Sequence, residues 1–570
     1  MSRFTPSVTP FLFCILISLS LATQAYSSQK DIIDNKDSVL FYLQKTHFEH
    51  YPDATAVILY EKGDALLYHG VLSYKIERTI KILSQDAANQ AGSVILPALG
   101  AVSFNKISGI TYNLDNGVLV KQEVDKADII KDKVTDHASV LKFNFPSLKA
   151  GSILHYSYTI EAFAFANMPD WNFQHEYPTL YSEYDMSLPS YYTFMHIARS
   201  DFPLTEVKKK SALDTMEGGS YSEPIKASGQ ANTIWIRRHI AALKNEPYRL
   251  GDNQYLERIR VQFTSIGHEP LLNTWDQVCK SIFLEGKNYI YVYDNNNFLG
   301  ETVDKLTAGK TSALDKAKAV FAFMRDSFAL DEDKKVYQLH LHNTFNIRRG
   351  TQWELCLLTT AMLRRAGFES DPVLIAAKPA ESLSAMFPDI QNINYYITKV
   401  TIEQKDYYLD ATQKYLPFGV LLPKCYNGYG RVMCRKSYGV QLSPDDLTDR
   451  NVIMATLGFS SETEHTLQLK LDKQFGQVSS FQYRKKWNGD QTKAKKELKA
   501  AFEADKFHLI RVNIDNFSDP DKPLTIHYEA EAELSHDALL YMNLYFDKFF
   551  KDNPFPSVHR RFPVNLDYQL

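Results

Sequence analysis

The stretch that most constrains the fold runs from Arg348 to Ile375, "RRGTQWELCLLTTAMLRRAGFESDPVLI". Gly350 precedes an apolar run with helical spacing from about 352 to 366. Gly367 follows it, where a C-cap glycine belongs. Strand patterns come directly after, in "DPVLIAAK" (371–378), "INYYITKVTIE" (393–403) and "DYYLDAT" (406–412). Helices followed by antiparallel strands give an α+β order.

The same helical period extends upstream. "TSALDKAKAVFAFMRDSF" places Ala317, Val320, Phe321 and Met324 on one face, with Ser312 as N-cap and Asp315 three residues on. Between 53 and about 265 the period is two instead. Short alternating strands are separated by turn signals such as Asp115-Asn116-Gly117 and "KAGS" at 149–152. That part reads as a β-sandwich, with Trp171 as a packing residue, preceded by a short helix in "DSVLFYLQKTHF". From about 446 the chain is β-rich again, in "TLQLKLDKQF", "SSFQYRKKW" and "LTIHYEAEAEL". One helix interrupts it, "TKAKKELKAAFEA" (492–504). At roughly 100–200 residues per domain, 570 residues make three or four domains.

The N-terminus reads as a signal peptide over 1–25. Arg3 precedes the apolar stretch "FLFCILISLSLA" (11–22), and "TQA" ends in small residues at Ala25. The expected location is therefore periplasmic or extracellular, with no membrane span after signal removal. The formal charge is −3, and −4 once the single Arg of 1–25 is removed. So near-neutral a chain gives no electrostatic reason to expect nucleic acid. The basic runs at 207–211 and 483–487 read as solvated faces. Four cysteines remain after residue 25: Cys279, Cys356, Cys425 and Cys434. They are too few for a disulfide framework. Cys425 and Cys434 are close enough in sequence to bridge, and equally read as two free thiols.

On these motifs the central segment resembles the transglutaminase-like superfamily, which has a papain-like core. There a Cys opens the helix, a His lies on a later strand and an Asp on the next. The imidazole lowers the thiol pKa and the carboxylate orients the imidazole. Gly350-x-Gln352 stands where the family has Gly-x-Cys, and Arg364-x-x-Gly367 matches the end of its helix. Asp410 in "YYLDAT" matches the family Asp, and the His position fifteen residues earlier is Tyr395. Gln cannot form a thiolate, and Tyr, with a pKa near 10, is a poor base at neutral pH. Cys356, one turn further into the helix, is the alternative nucleophile; its bland reading is a small buried hydrophobe. His340 and His342 in "QLHLHNTF" share a strand face at two-residue spacing and could supply an imidazole. No Cys or carboxylate completes a ligand set around them, so neither metal nor cofactor is expected.

The flanks carry the same resemblance. "GITYNLDNGVLVKQE" and "PDWNFQHEYPTLYSEYDMSLPS" look like the β-rich domain of unknown function that precedes transglutaminase-like domains in Gram-negative envelope proteins. "PFPSVHRRFPVNLDY" resembles part of the companion C-terminal β-domain. The expected architecture is α+β and multidomain. It comprises a signal peptide (1–25), a β-rich N-terminal domain (26–265), a transglutaminase-like domain (266–445) and a β-rich C-terminal domain short of strands (446–570). The resemblance implies an envelope protein without catalysis that binds a protein, peptide or glycan. The other class is a thiol peptidase, amidase or acyl transferase using Cys356.

Overall fold

The computed structural model describes residues 35–68, 70–99, 102–135, 138–163, 168–199, 204–210, 230–249, 255–285, 287–294, 296–332, 340–460, 465–503, 507–533, 555, 560–562 and 564. The expected signal peptide lies outside the described residues. Among them, no helix is long and apolar enough to cross a membrane. The chain forms two compact units. One runs to Leu271 and is interrupted by Glu246–Gln254; the second takes that short segment and everything from Leu272 onward.

The first unit is built on an eight-stranded sheet, with strands Ala56–Tyr68 and Thr179–Pro189 parallel and adjacent near its middle. A bulge between Ile58 and Tyr60 reverses which side chains point to which face. Before it, Val57 and Leu59 pack with Val39 and Leu43 of the helix Lys36–Gln44. Beyond it, Ala65 and Leu67 pack with Trp171, Trp235 and Val261. Two smaller sheets accompany the large one. One contains Arg258–Ile266, which supplies Val261. The other contains Ala138–Asn144, whose Leu141 and Phe143 pack with Ile58 and Tyr156. The Asp-Asn-Gly turn forms as read: Asn116 and Gly117 take φ of 52° and 80° and join two paired strands.

Among the described residues, the second unit holds an α-helical layer, a short parallel pair of Ala329–Leu330 with Arg349–Gly350, and two larger sheets. Helix α1 (Ala313–Ser327) is capped by the Ser312 side chain, and its Ala317, Val320, Phe321 and Met324 are fully buried. Helix α2 (Gln352–Arg365) follows. The first sheet has the order β3-β2-β1-β4-β5, where β1 is Glu369–Ile375, β2 Tyr395–Ile402, β3 Lys405–Leu409, β4 Gly428–Val432 and β5 Tyr438–Leu442. All its pairs are antiparallel. Side-chain alternation splits it cleanly. Leu374, Val400 and Ile402 face α2 through Leu355, Leu358 and Met362. Val373, Ile375, Tyr395 and Ile397 face a second cluster that includes Leu416, Val420 and Cys425.

The second sheet joins β6 (Val452–Phe459), β7 (Thr466–Gln474), β8 (His508–Asp515) and β9 (Thr525–Glu533) in the order β6-β7-β9-β8. Helices α3 (Gln477–Trp487) and α4 (Gln491–Glu503) lie between β7 and β8.

Two local readings are corrected. "SSFQYRKKW" is not a strand but most of α3. Residues Leu341–Ile347 are helical rather than extended, so His340 and His342 do not share a strand face; His342 instead packs against the Phe298 ring at 4.8 Å. The short helix Gln85–Ala91, capped by Ser84, was not foreseen.

Candidate functional site

Gln352 opens α2 because the residues before it build a good helix start. The Thr351 side chain accepts from the Glu354 backbone at 3.3 Å, and Glu354 accepts from the Thr351 backbone at 2.9 Å. This reciprocal cap satisfies two of the backbone donors a helix end leaves free. Gly350 fits beneath it because any Cβ there would meet the Thr344 methyl at 2.6 Å. Gly367, at φ +91°, closes the other end.

The structure joins two of the three singled-out positions directly. The Tyr395 hydroxyl donates to Asp410 Oδ2 at 2.6 Å, from the start of β2 to the residue after β3. The other Asp410 oxygen accepts from the Thr412 backbone at 3.0 Å and its hydroxyl at 2.5 Å. Gln413 donates to the Tyr395 oxygen at 3.3 Å, and the Lys424 ammonium lies 4.1 Å from the Tyr395 ring centre. Both side chains are buried. Burial raises the Asp410 pKa against the pull of its three donors. Burial, then the neighbouring Asp410 charge, raises that of Tyr395.

Gln352 bonds not to this pair but to the residue after Tyr395. Its amide donates to the Tyr396 carbonyl at 3.4 Å. Trp353 beside it stacks at an angle on Tyr396, with ring centres 4.8 Å apart.

Cys356 is one turn deeper and 5 % exposed. Its thiol donates to the Ile397 carbonyl at 3.2 Å and accepts from the Thr398 hydroxyl at 3.6 Å. Burial pushes this thiol up to about 12, the wrong direction for a nucleophile at neutral pH. Among the described residues, no cluster of His, Cys, Asp and Glu is arranged to hold a metal.

Sequence reasoning weighed Cys425 only for a bridge to Cys434 and did not place it beside Tyr395. It is buried in the same cluster as Tyr395, and burial together with the Asp410 charge raises its thiol strongly. Thr412 and Gln413 were passed over. Their signal was present: an Asp followed two residues later by Thr is a side-chain-to-backbone turn. The bridge weighed between Cys425 and Cys434 is not made; both are free thiols. Strand β4 lies between them in sequence, and both border the same apolar cluster.

Comparison with known proteins bears on each unit differently. Residues 69–240 match the sequence model of the DUF3857 family, a domain of unknown function with a solved structure. No curated protein matches the chain. Among solved structures, a chain described as a "putative protease" from Parabacteroides distasonis is similar at 11 % identity, with TM-score 0.50, over 84 % of this chain and 93 % of that one. A second, described as a "putative cysteine protease" from Cytophaga hutchinsonii, matches at 9 % identity and TM-score 0.18, over 62 % and 78 %. A third, a "putative nutrient binding protein" from Legionella pneumophila, matches at 9 % identity and TM-score 0.17, over 55 % and 94 %. Only the first is similar enough in geometry to speak to the fold, and it speaks to nothing else.

Proposed function

We propose that residues 266–445 form a papain-like core of transglutaminase type that has lost its chemistry, and that the protein acts by binding a protein, peptide or glycan in the periplasm or outside the cell. The observation that carries this reading is the closed Tyr395–Asp410 pair. A carboxylate that would orient an imidazole instead accepts three internal hydrogen bonds, and the residue opening α2 is an amide. Likeness in fold to a chain named as a protease supports the core. The apolar run at 11–22 supports export. Gln352, Trp353 and Tyr396 at the head of α2 offer hydrogen bonding and aromatic surface to a ligand.

The named protease also favours a second reading, with Cys356 as a displaced nucleophile. Its burial and its raised pKa oppose that.

One experiment separates the two. The native chain is exposed to iodoacetamide across the neutral pH range, and Cys356 is followed by mass spectrometry. The binding reading expects no alkylation until the protein is denatured. Fast alkylation below neutral pH would make the thiol enzyme the better account. In parallel, titration with mixed-sequence peptides and with peptidoglycan fragments should change the Trp353 fluorescence, and Trp353→Phe should remove that change. A flat response to both would count against a ligand at the head of α2.

A further inference from the structure

The structure brings together two cysteines that lie 155 positions apart, the thiol of one against the backbone of the other. Cys279 ends the helix Trp275–Cys279, and Cys434 sits in the turn between β4 and β5. The Cys279 thiol donates to the Cys434 carbonyl at 3.2 Å. Neighbouring contacts tie the same helix to the same hairpin. Arg431 donates to Asp276 at 3.0 Å, the Ser437 hydroxyl donates to Asp276 at 3.3 Å, and the Trp275 and Tyr429 rings lie 5.8 Å apart. The contact therefore belongs to a braced junction.

We propose that Cys279 and Cys434 are a disulfide-forming pair, joined when the protein meets a low-molecular-weight disulfide, and that Cys425 takes no part. Cys434 is half-buried and reacts first. Its thiolate attacks one sulfur of glutathione disulfide. One glutathione leaves as thiolate and takes up a proton, and a mixed disulfide remains on Cys434. The Cys279 thiolate then attacks the Cys434 sulfur and displaces the second glutathione. Two protein thiols lose two electrons and two protons; one glutathione disulfide becomes two thiols. Cys279 is 1 % exposed, but the second step is intramolecular and needs no access from solvent. Burial raises both thiols, Cys279 to about 11, so the exchange quickens as pH rises.

The test uses the native full chain, equilibrated with glutathione disulfide, alkylated and cleaved with trypsin without reduction. The three cysteines fall on separate peptides: 261–280, 425–431 and 432–435. The expected product joins 261–280 to 432–435 and is lighter by two hydrogens than the two reduced peptides together. Cys279→Ser should leave Cys434 accumulating as the glutathione adduct, and Cys425→Ser should leave the cross-link unchanged. A link between 425–431 and 432–435, or wild-type Cys434 left as adduct or free thiol with Cys279 alkylated, would overturn the proposal. If Cys279→Ser fails to fold, the wild-type peptide map decides alone.

Discussion

Arg484 is fully buried and donates to the carbonyls of Asn516 at 2.8 Å, Phe517 at 3.2 Å and Lys522 at 2.7 Å. In sequence it sits in "YRKKW", a run read as a solvated face; that holds for Lys485 and Lys486 and fails for Arg484. The run could not show this, because the partners lie 32 to 38 positions away. Arg484→Met keeps much of the volume but leaves buried carbonyls unpaired. It should cost about 2–4 kcal/mol, read as a lower urea midpoint for the second unit. Tyr395 is the matching case at the candidate site. Tyr395→Phe removes one donor from a buried carboxylate and should cost about 1–3 kcal/mol in the same measurement, without exposing Cys356 to alkylation. That Tyr395 and Asp410 meet was legible, because fifteen residues across a tight β2–β3 connection return the chain to the same level. That Gln352 bonds to the Tyr396 carbonyl rather than to that pair was not.

Helix α3 shows how an element is settled away from its own sequence. Its N-cap, Gly476, has no side chain to offer, and the cap comes from Asp449 instead. Asp449 accepts from the backbones of Val478 and Ser479, both at 2.9 Å. A carboxylate at a helix N-terminus pairs with free backbone donors and with the helix dipole. Asp449→Ala should cost about 1–2 kcal/mol and speed amide exchange in the first turn of α3. In the sheet beside it, His527 of β9 lies between Asp472 at 2.7 Å and Asp515 at 3.2 Å, one on each neighbouring strand. The hydrogen bond to Asp472 is the leading cause of its raised pKa. The folded state therefore holds the proton more tightly than the unfolded chain. Its contribution is full below about pH 6.5 and is lost as pH rises through the folded value. His527→Gln should flatten stability against pH over that window, and an unchanged profile would remove the ion pairs from the account.

At the scale of the second unit, α3 belongs to both sheets. Its Val478 and Phe481 pack among Leu416, Val420 and Leu421, while its Trp487 packs with Leu469, Leu509 and Ile526. Asp521 adds a polar tie, accepting from the Phe418 backbone at 2.9 Å. Phe481→Ala should cost about 3–5 kcal/mol and split one calorimetric transition of this unit into two. A single transition, merely lowered, would mean that the two sheets are held together elsewhere. By itself the sequence determined the periods: two through most of the first unit, 3.6 around α1 and α2, and two again in the sheets. Those follow from each residue's own geometry and the side it must bury. It also determined the capping signals at Ser312 and Gly367, which are local. Only the tertiary structure decided what depends on residues far apart in the chain. It made a helix of "SSFQYRKKW" through Asp449, buried Arg484 among distant carbonyls, and set the Cys279 thiol against the Cys434 carbonyl.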